Sequence, residues 1–223
     1  MTKSDLYRIS DSVLGSYLIA NSFQRGRPAE YLRMVSGGRD RIIVSEGPPS
    51  KARSHFAVFM SYYPDYLNPV KELIDFRGEA EGFPCGPYLN PVTVSRRPKY
   101  WSYATEEILD RSLQHVLQCL ERVGLPWLES LRDTRTFATN VDPMALLDAA
   151  IAYEEAGDTQ KARAFYEELM RRHLVAITAF GEKMALDRYH NAFIYTAMKL
   201  GVERERRERL QQQINYYPTV QRL

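Results

Sequence analysis

The sequence predicts an α+β protein: a small, mainly antiparallel sheet of three to five strands covered by helices, followed by an all-α helical-hairpin subdomain. Three observations carry that expectation. Short aromatic and β-branched runs, broken by Gly and Pro, occupy the stretch from Glu30 to Val94. Apolar residues at three- and four-residue spacing mark an opening segment and almost everything after residue 104. Late in the chain, Gly157-Asp158 sits between two such helical runs as a turn. The boundary is placed near Phe137–Val141, where Thr134–Thr139 interrupts the helical pattern, giving an α+β domain over 1–138 and a helical subdomain over 139–223.

The opening segment, Asp5 to about Ala20, sets Leu6, Ile9, Val13, Leu14, Tyr17 and Leu18 on one face, which predicts an amphipathic helix ending before Arg25-Gly26-Arg27-Pro28. Glu30–Val35 and Arg41–Ser45 flank Ser36-Gly37-Gly38-Arg39, the pattern of a β-hairpin. Gly47-Pro48-Pro49-Ser50 is a loop, and Phe56–Tyr62, apolar on nearly both faces, reads as a central strand. Proline and glycine make Gly82–Pro87 a loop, and Pro91-Val92-Thr93-Val94 reads as an edge strand, because proline brings no amide to a ladder.

Beyond residue 104 the period lengthens. Thr105 is placed as an N-cap with Glu106 and Glu107 in the first turn, where carboxylates favour the helix dipole. Ile108, Leu109, Leu113, Val116, Leu117 and Leu120 form the stripe, and Gly124 with Pro126 is expected to close that helix. Trp127, Leu128 and Leu131 dock the next segment of chain onto the same core. Asp142 and Pro143 are read as the next N-cap and first helical residue, with helices to about Ala156, over 159–173, 175–200 and 202–215. In the last, Glu203–Arg207 and Glu205–Arg209 are i,i+4 pairs, so that charged run is a solvated helix face.

Charge and motif content narrow the chemistry. Thirty basic against 28 acidic residues leave a formal charge of +2, far from the excess of a dedicated nucleic-acid binder. The bases lean to the first half, with seven Arg or Lys against three acids from Arg25 to Arg53. Cys85, Cys119 and the four histidines fall at no metal-ligand spacing, so no metal or other cofactor is expected. Phosphate-loop, dinucleotide and G-x-S-x-G signatures do not occur. His115 and Cys119, four apart, and Asp187 and His190, three apart, are close enough on a helix to pair, yet both read as structural residues. No apolar run reaches a membrane span and no apolar leader opens the chain, so a cytoplasmic protein without a membrane partner is expected.

Ala150, Tyr153, Gly157-Asp158, Ala162, Tyr166 and Leu169 fall at the offsets of a tetratricopeptide repeat, which residues 143–173 resemble as one helical pair. Small residues let two helices approach, and aromatics fill the space between them. A stretch from His190 to Leu200 reads as the start of a second, degenerate pair. The N-terminal two thirds also resembles an uncharacterised family of bacterial α+β domains. The shared features are the first helix, Phe23-Gln24-Arg25-Gly26, a strand meander, Tyr100-Trp101, and a helix ending in Gly124-Leu125-Pro126-Trp127-Leu128. That resemblance implies a fold, and a role as a small accessory or toxin-neutralising, immunity-like protein.

The strongest candidate contact segment is Arg96-Arg97-Pro98-Lys99-Tyr100-Trp101, where cations alternate with aromatics just before a helix. Arg39 and Arg41, with the Tyr62, Tyr63 and Tyr66 cluster, extend it if the strands place them nearby. The expected function is therefore non-catalytic binding of another protein, one with an acidic surface. Two alternatives stand beside it. One is a hydrolase or transferase with a pocket assembled from His55, Arg53, Arg96 and Tyr100. The other is a nucleic-acid-binding module using the same bases.

Overall fold

The structure is a computed structural model that describes residues 1–47, 54–68, 87–142, 145–180 and 195–201, and of 173–180 the backbone. The expected loops over 48–50 and 82–86, the helix over 202–215, and Arg53, Cys85, Asp187 and His190 lie outside the described residues. The chain divides into two compact units: Met1–Tyr66 with Phe83–Asn140, and Leu67–Gly82 with Val141–Leu223.

In the first unit, helix α1 (Lys3–Ala20) begins two residues earlier than the apolar stripe suggests. The cause is a capping box in which Thr2 accepts from the Asp5 amide and the Asp5 side chain accepts from the Thr2 amide. Leu6, Ile9, Leu14 and Leu18 face inward. Strands β1 (Gln24–Arg25), β2 (Glu30–Val35), β3 (Gly38–Glu46) and β4 (His55–Pro64) form an antiparallel meander. The β2–β3 hairpin is the one expected, and its two glycines act differently. Gly37 turns the chain at φ +78°, whereas Gly38 already pairs with Val35 and Pro64. A Cβ on Gly38 would lie 2.5 Å from the Tyr63 carbonyl and 2.7 Å from the Tyr62 ring, so only glycine fits there.

Strand β4 is central, as its double-sided apolar sequence requires. It pairs with β3 on one side, and on the other with β5 (Tyr88–Leu89) and β7 (Trp101–Ser102). β6 (Val94–Ser95) continues the sheet from β5. Among the described residues the sheet thus has seven strands rather than three to five. Four of them are two residues long, too short to show any alternation in sequence. The expected strand over 91–94 is displaced for the same reason: Pro91–Thr93 form the bend between β5 and β6, and Val92 is exposed.

Helix α2 (Glu106–Cys119) starts at the expected cap, with the Ile108 amide donating to Thr105 Oγ1 at 3.3 Å. Its end corrects the sequence reading. Instead of stopping at Gly124-Pro126, the chain widens into a π turn (Leu120–Gly124) and continues as α3 (Leu125–Ser130). The Leu125 amide reaches back to Leu120, and Pro126 occupies the first turn of α3, where a missing amide costs little. Gly124 lets that turn approach the sheet, since a Cβ would fall 2.9 Å from Met60 Sδ and 3.1 Å from Leu89. The expected interruption at 134–139 is also a helix, α4 (Thr134–Asn140), capped by Asp133, whose carboxylate accepts from the Thr136 amide and hydroxyl. Phe137 on α4 meets Tyr62 edge-on at 5.7 Å, which places α3 and α4 over the face of β3–β4 that carries Asp40, Ile42, Met60 and Tyr62.

In the second unit, α5 (Leu146–Glu155) and α6 (Thr159–Phe180) form a helical hairpin. The first of these starts at Ala145 without a side-chain cap, three residues after the Asp142 expected to cap it. Asp142 instead uses its carbonyl, accepting from the Ala145 amide at 2.8 Å.

Candidate functional site

The α5–α6 hairpin is built by the residues its spacing singles out. Gly157, at φ +78°, takes the left-handed position that ends α5, and the Asp158 amide returns to the Tyr153 carbonyl at 2.9 Å. Asp158 then caps α6 by accepting from the Lys161 amide at 3.1 Å. Ala150, Ala162 and Tyr166 form the core between the helices, with Leu147, Tyr153 and Phe165 packed against it. Tyr153 and Phe165 stack at 5.5 Å, and Lys161 lies over the Tyr153 ring.

Residues 195–199 are helical, and Tyr195 and Leu200 pack against the same core. A polar clasp reinforces this. Glu154 accepts from the Tyr166 hydroxyl at 2.9 Å through one oxygen and from Lys199 at 2.5 Å through the other. Burial, the nearby Tyr195 and the bond to Glu154 raise the Tyr166 pKa far above that of a free phenol. For Lys199 burial pulls downward, but the bond to Glu154 and the neighbouring groups prevail, and its pKa rises.

The basic–aromatic segment of the first unit divides sharply. Arg96, Arg97, Lys99 and Tyr100 are exposed, whereas Trp101 is buried, stacked on Phe56 at 5.9 Å and edge-on to His115 at 6.4 Å. The segment leaves β6 through a turn in which the Arg97 amide donates to Ser95 Oγ at 3.1 Å. Arg39 and Arg41 are not brought to it along the sheet. Arg39 pairs with Tyr63 and Trp101 with Phe56, seven residues apart on β4, roughly 23 Å at strand rise. Arg41 holds Glu30 at 2.7 Å, and Arg39 lies over the Tyr63 ring. Tyr62 and Tyr63 are core residues rather than an extension of the surface.

Of the residues expected to form a catalytic pocket, His55 and Tyr100 meet edge-on at 6.3 Å. His115 is exposed, but Cys119 is buried and its thiol is pushed up by burial, against the pull of Arg122 and Lys99. A high thiol pKa suits a packed residue, not a thiolate nucleophile. Among the described residues no group of three or more His, Cys, Asp or Glu is placed to hold a metal ion, and no helix is long and apolar enough to cross a membrane.

One charged cluster escaped the sequence reading. Asp40 and Arg33 are cross-strand partners on β3 and β2, with Arg33 Nε 2.8 Å from Asp40 Oδ2. Arg33 also reaches Glu129 at 3.0 Å, Arg132 lies 3.5 Å from Asp40 and bonds Glu129, and the Arg33 guanidinium covers the Phe23 ring. Asp40 is fully buried, and among the described residues its Oδ1 has no hydrogen-bond partner. Burial raises its pKa despite the two arginines. The signal was available: Asp40 sits in phase with Ile42 and Val44, the inward positions of β3.

Comparison with known proteins adds one result. No curated protein and no solved structure matches the chain. Residues 144–173 match the model of the tetratricopeptide repeat, over the hairpin built by α5 and α6.

Proposed function

We propose that this protein is a non-catalytic, protein-binding accessory protein of immunity-like type, whose helical hairpin contacts a partner with an acidic surface. The observation that carries the reading is the tetratricopeptide match at residues 144–173. Repeats of this type serve protein–protein contact, and a single pair buries its core against its own chain while leaving helix surface for a partner. The exposed Arg96, Arg97, Lys99 and Tyr100 supply a second contact of complementary charge and a flat aromatic face. Trp101, buried beneath them, fixes the segment rather than touching the partner. The accessory or toxin-neutralising role leans on the resemblance of the N-terminal two thirds and on that basic segment.

The test is affinity capture from host lysate, with nuclease treatment and mass-spectrometric readout. Wild type is compared with Ala150→Glu/Ala162→Glu, which opens the hairpin, and with Arg96→Ala/Arg97→Ala/Tyr100→Ala. The expected outcome is a protein partner lost with the hairpin and weakened in the triple variant, more so at high salt. Capture of nothing, or equal capture after the hairpin is opened, overturns the reading. Nuclease-sensitive capture of nucleic acid replaces it with the nucleic-acid alternative.

A further inference from the structure

The first unit holds an open cleft of about 730 Å³ whose one wall is α1 and whose other is the β1–β2 connection. We propose that this cleft binds a small phosphate-bearing molecule of nucleotide size. Helix α1 lines it with Lys3, Ser4, Tyr7, Arg8 and Ser12, and the far wall brings Arg25 and Pro28. The volume falls within the roughly 300–1,000 Å³ of small-molecule sites. The lining joins apolar surface to three cations (Lys3, Arg8, Arg25) and three hydroxyls (Ser4, Tyr7, Ser12), and those polar groups suit phosphate oxygens, which take charge-assisted and hydroxyl hydrogen bonds together.

Asp11, the one acid in the lining, is largely buried, and both of its oxygens are already engaged. Its Oδ1 accepts from the Ala29 amide at 3.1 Å and from the Tyr31 hydroxyl at 2.7 Å, and its Oδ2 accepts from Arg25. These bonds hold Ala29 at φ +59°, an uncommon conformation for alanine, and so fix the wall carrying Pro28 and Arg25. Arg25 is therefore structural as well as lining. Lys3 and Arg8 are differently placed. Their acidic neighbours, Glu46 and Asp5, stand at 3.9 Å, and both cations keep more than half their side chains exposed. Asp5 is already engaged by Thr2, and Glu46 by the Tyr103 hydroxyl. Ion pairs this long and wet contribute little, so a dianionic phosphate displaces them at small cost.

The probes are pyrophosphate and ADP, added to the full chain at low ionic strength and followed by calorimetric titration and thermal melting. Lys3→Ala/Arg8→Ala is compared with Arg171→Ala/Arg172→Ala, which removes the same charge from α6. The expected result is saturable binding with Kd below about 1 mM in wild type and in the α6 variant. Lys3→Ala/Arg8→Ala should weaken it at least about tenfold, as loss of two charge-assisted contacts requires. Absence of saturable binding, or equal binding by both variants, overturns the proposal. So does preference for a phosphoserine peptide over both probes, which would make the cleft a protein contact.

Discussion

Asp40 shows what one buried carboxylate does to a fold. Its raised pKa means that between the unfolded value, about 3.9, and the folded one, the native state holds more protons than the unfolded chain. Its contribution to stability therefore falls as pH rises through that window, and is recovered as pH falls. Asp5 and Asp133, whose hydrogen bonds lower their pKa values, act in the opposite sense, losing stability as pH falls through their folded values. The difference between wild type and Asp40→Asn isolates the effect. Urea melts from pH 3.5 to 6.5 (about the range spanning carboxylate titration) should show wild type losing stability relative to the variant as pH rises; a flat difference contradicts the assignment. At Gly38 the limit is steric. Gly38→Ala forces a Cβ onto the rigid Tyr63 carbonyl and should cost about 1–3 kcal/mol or more. Gly37→Ala meets open space and loses only the left-handed preference, about 1 kcal/mol. Urea midpoints should rank the two in that order.

At the scale of the element, the helical hairpin was legible and the helix breaks were not. Ala150, Gly157, Ala162 and Tyr166 announce the pair because close helix approach needs small residues at fixed offsets. Gly124-Pro126 and Thr134–Thr139 read as stops because local propensity opposes helix there. In the fold, Gly124 is required by its contact with Met60 and Leu89, and the π turn carries the helix past Pro126. Tertiary contact overrode local signal, a frequent limit of propensity. The clasp on the hairpin yields its own prediction. Tyr166→Phe removes one hydrogen bond to Glu154 while Lys199 still satisfies that carboxylate, so the cost should be about 0.5–1.5 kcal/mol. Tyr166→Ala also empties the core and should cost about 3–5 kcal/mol. Because the Tyr166 pKa is raised, its phenol should contribute no tyrosinate absorbance in an alkaline titration until the hairpin opens. Above the usual tyrosine value, about 10, stability should fall as pH rises.

At the scale of the molecule, the hairpin that carries the partner-binding reading and the phosphate-binding cleft belong to different units, and the two proposals are tested by different variants. Capture lost with the hairpin but retained in Lys3→Ala/Arg8→Ala would separate them. The candidate contact segment was visible in sequence as a run of cations and aromatics, but its division was not. Nothing local distinguishes Tyr100 from Trp101; the pairing of β7 with β4 turns the indole onto Phe56 and leaves the phenol outside. The same register separates Arg39 from the segment along the sheet.

The sequence alone determined the α+β class, the central strand, the β2–β3 hairpin and the helical pair. Each depends on periodicity or turn chemistry within some thirty residues, where side-chain pattern and backbone geometry are directly coupled. Tertiary structure alone decided which charges are buried together and which aromatics are free, how Asp11 fixes the cleft wall, and where the helices after residue 119 bend. Those outcomes depend on residues distant in the chain, such as Asp40 with Arg132 or Asp11 with Ala29, whose meeting no local period encodes.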